Sequence, residues 1–92
     1  MIAKRVVVRG RVQGVGFRFA MVDAAADAGV IGWVRNRRDG SVEAFVQGEA
    51  TAVEKIVDWS KRGPPGARVT ECAVTDASPD ATLRDFAQRA SA

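Results

Sequence analysis

The stretch Gly10-Arg11-Val12-Gln13-Gly14-Val15-Gly16-Phe17-Arg18 constrains the fold more than any other part of the chain. Before it, Lys4 to Arg9, centred on Val6-Val7-Val8, reads as a β-strand buried on both sides or nearly so. After it, Phe19 to Ala28 is rich in helix formers and predicts a helix that begins near Phe17 and stops at Gly29 as its C′ residue. A strand handing over to a helix through a glycine-rich turn leaves several backbone N–H groups without helical partners. The helix dipole favours an anion at that same place. The glycines let the backbone approach a ligand without a Cβ in the way, and Arg18 supplies a planar, permanently charged fork that suits two phosphate oxygens. The stretch therefore reads as a phosphate cradle, with a plain turn as the bland alternative. It is no Walker A loop, which ends in Gly-Lys-Ser/Thr, and its glycine spacing fails the dinucleotide fingerprint.

The remaining elements follow from turn signals and periodicity. Val30 to Asn36 predicts a second strand, Arg37-Arg38-Asp39-Gly40 a hairpin turn, and Ser41 to Gln47 a third strand. In the third strand Val42, Ala44 and Val46 alternate with Glu43, Phe45 and Gln47, as expected of one face on helices and one facing outward. A second helix follows, with Thr51-Ala52-Val53-Glu54 as a capping box and Val53, Ile56, Val57 and Ser60 as its buried stripe. Gly63-Pro64-Pro65-Gly66 ends it. Arg68 to Thr75 predicts a fourth strand, residues 77–81 a loop, residues 82–88 a short last strand, and residues 89–92 a loose tail. In the first helix Val22, Ala25 and Ala26 are expected on the packed side. The order β-α-β-β-α-β is the split βαβ arrangement: an α+β fold with one mostly antiparallel sheet carrying both helices on one face.

Composition narrows the function classes. The 92 residues predict one domain spanning the chain, with an apolar share of 47% and a charged share of 27%. No apolar run approaches the ~20 residues a membrane span needs, and Lys4, Arg5, Arg9 and Arg11 break any signal-peptide pattern. The single Cys72 suits a reducing cytoplasm and reads as a small sheet residue; with no histidine in the chain to activate it, a nucleophilic role is not expected. A net charge of +3 admits an anionic partner. A nucleic-acid module on the same fold is the competing reading. It asks for basic residues clustered with exposed aromatics on a strand face, whereas here they read as scattered over a solvated surface.

Three runs together resemble the acylphosphatase family. Gly10 to Arg18 is similar to its first signature; Gly32-Trp33-Val34-Arg35-Asn36 with Asp39-Gly40-Ser41-Val42-Glu43 is similar to its second; Gly63-Pro64-Pro65-Gly66-Ala67-Arg68-Val69 resembles the segment before its fourth strand. The resemblance implies a ferredoxin-like fold and metal-free hydrolysis of the carboxyl–phosphate bond of acyl phosphates, with no cofactor and no covalent intermediate. It implies that Arg18 binds the phosphate and that Asn36 is the catalytic asparagine. Amides of Gln13, Gly14, Val15, Gly16, Phe17 and Arg18 are expected to surround the phosphoryl oxygens, and Asn36 to orient one water. The expected partners are a small acyl phosphate and the product phosphate, with neither membrane nor nucleic acid, and a monomer is expected. Trp33 reads as sheet packing, Gln13 as acting through its backbone, and Asn36, family aside, as a residue satisfying the turn. A carbamoyl-phosphate-handling domain of a larger maturation protein is a third reading, disfavoured on length. Two departures stand out. Phe19-Ala20-Met21 occupies the place where many members carry a polar residue, so no hydroxyl assistance is expected from that turn. The tail after Phe86 differs from the usual ending, so contact between the chain's end and Arg18 is not expected.

Overall fold

The computed structural model describes residues 1–92. It contains β1 (Ile2–Arg11), α1 (Phe17–Ala28), β2 (Ile31–Asn36), β3 (Val42–Gly48), α2 (Ala50–Arg62), β4 (Arg68–Ala77) and β5 (Phe86–Gln88). The sheet order is β4-β1-β3-β2-β5, antiparallel throughout except where β5 runs parallel to β2. This is the expected ferredoxin-like arrangement with β1 and β3 side by side at the centre.

Alternation along the strands builds the core. Val6 and Val8 of β1, Val34 of β2, and Val42, Ala44 and Val46 of β3 point to one face. There they meet Phe17, Met21 and Ala25 of α1 and Val53 and Ile56 of α2. The buried line of α1 is thus Phe17-Met21-Ala25, spaced i, i+4, whereas Ala26, expected inside, is exposed. Ala25 is fully buried, and its small side chain lets the helix lie close to the sheet. Gly29 ends α1 in the left-handed region, its N–H donating to the carbonyls of Ala25 and Ala26.

Three expectations need correction. The Thr51–Glu54 capping box does not form: β3 runs to Gly48, so Glu49 alone turns the chain and α2 begins at Ala50, which puts Thr51 inside the first turn. Glu49 caps without its side chain; its carbonyl accepts the Val53 N–H at 2.9 Å. The last strand is confined to Phe86–Gln88, because Asp80 to Leu83 form a turn closed by Leu83 N–H donating to Asp80 O, with the Asp80 carboxylate accepting from the Thr82 N–H and hydroxyl. The tail is not loose. Arg89 N–H donates to Val34 O, Ala92 N–H to Asn36 O, and Arg38 N–H to Ala92 O, so residues 89–92 extend the edge beside β2 as far as its end. No helix is long and apolar enough to cross a membrane.

Candidate active site

The loop between β1 and α1 owes its shape to two glycines. Gly14 has φ 74° and Gly16 φ 78°, both left-handed values that a side chain with a Cβ adopts at a cost. Gly16 is the N-cap of α1, and its carbonyl accepts from Ala20 N–H at 3.0 Å. No side chain caps this end and no acidic residue lies in the first turn. The N–H groups of Phe17, Arg18 and Phe19 therefore have no carbonyl within the helix to bond. Here the sequence also places a cation, Arg18, on the positive end of the dipole, an unfavourable position until an anion joins it. Arg18 takes part in none of the chain's ion pairs.

The loop, the helix start and the sheet edge enclose a cavity of about 210 Å³. Val12, Gly14, Gly16, Phe17, Arg18 and Phe19 line one side; Asn36, at the end of β2, and Gln88, at the end of β5, face them. Of the residues expected from sequence, Gly14, Gly16, Phe17, Arg18 and Asn36 thus converge on one space. Val15 turns its side chain onto the core instead. The Gln13 side chain also points elsewhere: its Nε2 donates to the carbonyls of Arg37 at 2.8 Å and Ser41 at 2.9 Å, pinning the loop to the base of the β2–β3 hairpin.

The hairpin turn does not draw on the Asn36 side chain. Its backbone is already served, since Asp39 Oδ1 accepts from Ser41 N–H at 3.0 Å and from Ser41 Oγ at 2.6 Å, and Gln13 takes the two carbonyls. The Asn36 side chain makes none of these bonds and is left to the cavity. Bonds from the Ser41 hydroxyl and amide, helped by Arg37 and Arg9, pull the Asp39 carboxyl down to about 2. It is therefore an anion that braces the turn and not a proton carrier.

Sequence reasoning missed two features. Gln88 was no candidate, because only the parallel pairing of Val34 with Gln88 brings it beside β2. The basic residues are not all scattered: on the open face of the sheet Arg5 and Arg35 both bind Glu43, Arg35 at 2.7 Å. Glu43 is only 3% exposed. Burial works to raise its pKa, but the bonds from the two guanidiniums outweigh this and hold it below its ordinary value. Arg35 and Arg89 also lie over the Trp33 ring, at 4.8 and 5.0 Å from its centroid, and Trp33 stacks on Phe45. Trp33 is sheet packing, as expected, on the face away from the cavity. Cys72 is half-buried against the core, and desolvation raises its thiol pKa. A larger, shallower groove of about 570 Å³ lies between α1 and α2, with Asp27, Asp58, Lys55 and Arg62 around Ile56 and Trp59. It contains none of the motif residues and no free helix start, so the smaller cavity is the candidate site.

Known proteins resemble this chain in sequence and in fold. The acylphosphatase family model matches residues 4–88. A curated acylphosphatase of Acidiphilium cryptum is 53% identical over 81 residues, covering 88% of this chain and 89% of that protein. The crystal structure of acylphosphatase from Bacillus subtilis superposes with a TM-score of 0.91 at 37% identity, covering 97% of this chain and 99% of that one. The structure of T. kodakarensis HypF also superposes, with a TM-score of 0.84 at 30% identity, but all of this chain corresponds to 12% of that one.

Proposed function

This chain belongs to the acylphosphatase family and is a hydrolase of acyl phosphates, and we propose how its residues divide the work. The phosphoryl group sits on the loop, its oxygens held by main-chain amides between Gln13 and Arg18 and by the Arg18 guanidinium. Asn36 holds one water in line with the carboxylate that leaves. The observation that carries this reading is the uncapped start of α1, fitted with a cation and faced across one cavity by an unengaged carboxamide.

The chemistry asks for little more. A carboxylate leaving group has a conjugate acid of pKa roughly 4, so it departs at neutral pH without a general acid. Phosphoryl transfer depends mainly on positioning and on stabilising charge as it redistributes. Amides fixed by the fold meet that charge without reorganising. A phosphate oxygen accepts the proton of the attacking water, so no protein base is required. The products are a carboxylate and inorganic phosphate, and no covalent intermediate forms. The reading takes residues 1–92 as one functional unit acting as a monomer in the cytoplasm, which suits the lone half-buried Cys72.

The test is hydrolysis of acetyl or benzoyl phosphate, with and without a chelator and with inorganic phosphate as competitor. Turnover is expected to persist with chelator and to be inhibited competitively by phosphate. Asn36→Ala is expected to lower kcat about 10²-fold while leaving phosphate inhibition intact, since it removes orientation of the water and not the anion grip. Full activity in Asn36→Ala would refute the assignment.

A further inference from the structure

We propose that Phe19 is the contact for the acyl group, and that it makes the enzyme favour acyl phosphates with a planar apolar acyl group over acetyl phosphate. The proposal rests on the reading of the cavity as the phosphoryl site and adds which substrates that site selects.

Phe19 is 69% exposed, and the only other large apolar side chain so exposed is that of Met1. Helix packing does not account for it. The core line of α1 is Phe17-Met21-Ala25, and Phe19, two positions on from Phe17, turns away from that line by about 200° at 3.6 residues per turn. Phe17, by contrast, is buried and meets Trp59 edge-on with ring centroids 5.3 Å apart. Yet Phe19 lines the same cavity as Arg18 and Asn36. The other apolar residues of that lining, Val12 and Phe17, are 1% and 3% exposed and are committed to the core. The accessible ring at the rim is therefore that of Phe19.

The cavity sorts its lining by chemistry. Amide donors and a guanidinium lie at the loop, a carboxamide lies opposite, and one aromatic ring stands at the edge. An acyl phosphate is sorted the same way, with a dianionic head and an uncharged acyl group bonded to it. Once the head occupies the loop, the acyl group leaves the cavity past its rim, where an exposed ring supplies apolar area and an aromatic partner. A methyl group covers little of that ring, whereas a phenyl group covers much of one face. A one-sided aromatic contact is worth about two- to tenfold in binding.

The experiment compares the parent with Phe19→Ala and Phe19→Leu on benzoyl phosphate and acetyl phosphate, with inorganic phosphate inhibition measured in parallel. Variant-to-parent ratios within each substrate cancel the difference in leaving-group reactivity. Phe19→Ala is expected to lose about three- to tenfold more kcat/KM on benzoyl phosphate than on acetyl phosphate. Phosphate inhibition should stay at the parent's concentration, and Phe19→Leu should recover part of the loss. Equal effects on both substrates, or none, would overturn the role of Phe19 while leaving the site standing. A parent that turns over neither substrate, with no inhibition by phosphate, would overturn the site and this proposal with it.

Discussion

Gln13 lies in the loop before α1, but its side chain reaches the hairpin turn that follows Asn36, and Gln13→Met isolates that link. Methionine keeps the length of the side chain and removes both donated hydrogen bonds, those to Arg37 O and Ser41 O. Neither acceptor is orphaned: Arg37 O still receives Gly40 N–H at 3.1 Å, and Ser41 O still receives Arg37 N–H at 2.8 Å. The loss is therefore that of two neutral hydrogen bonds without a buried unsatisfied group, about 1–2 kcal/mol in all. For a chain of this size that is a fall in Tm of roughly 5–15 °C. The loop and the end of β2 carry opposite sides of the cavity, so loosening their tie also misplaces Arg18 against Asn36. A displacement of this kind costs roughly 10- to 100-fold in kcat/KM. Thermal unfolding followed by circular dichroism, with hydrolysis of acetyl phosphate, checks both. A variant that melts with the parent but shows a raised KM would place the Gln13 amide on the substrate and refute the tie.

Removing the cation from the start of α1 is expected to separate function from stability. Arg18→Ala should lower kcat/KM by about 10²–10³-fold, while unfolding should show a gain of about 0.3–1 kcal/mol from relief at the dipole. Inorganic phosphate at about 100 times its Kd should stabilise the parent by about 2.7 kcal/mol in a melt, and Arg18→Ala should lose most of that effect. Glu43→Gln should cost about 1–3 kcal/mol at pH 7, a figure reduced because Arg5 and Arg35 are themselves partly exposed. Because the folded pKa of Glu43 lies below its ordinary value of 4.5, its contribution is fully present above 4.5 and is lost as pH falls through the folded value. Urea unfolding should accordingly show the deficit of Glu43→Gln closing in acid, and a deficit that stays constant to pH 2 would refute the role of the charge.

How much of this was legible in the sequence depends on how far each contact reaches along the chain. Loop, helix start, hairpin and strand alternation are local, and the residues that write them, from Gly10 to Arg18 and from Asn36 to Gly48, were read with small errors of boundary. The convergence of Arg18 with Asn36 came from topology, since β1 and β3 at the centre leave β2 beside them. What failed was set by register. The alternation of β3 puts Glu43 on the open face, but only the pairings Val7↔Glu43 and Arg35↔Glu43 bring Arg5 and Arg35 within reach of it. The spacing of Thr51 and Glu54 satisfied a capping rule that the chain never uses, because β3 and α2 are separated by Glu49 alone. Residues 89–92 carry no strand pattern; they are held by backbone bonds to Val34, Asn36 and Arg38, which residue type does not announce, with the Arg89 guanidinium over Trp33 as a side-chain contact beside them.

The places where local rules are broken are informative as a group. Elsewhere several are kept: α1 ends on a left-handed glycine, α2 carries Lys61 and Arg62 in its last turn, and Glu43 on the sheet is neutralised, although α2 also starts without a side-chain cap or an acidic first turn. At the start of α1 three features coincide: neither a side-chain cap nor an acidic first turn, a cation at the positive end of the dipole, and an exposed aromatic ring. Each alone is a small cost that folding elsewhere absorbs. At the proposed site an anion with an apolar appendage would answer all three, satisfying the amides, neutralising Arg18 and covering the ring of Phe19. On that proposal the unfavourable local energies at this loop are the complement of one ligand, set by the fold before any substrate arrives.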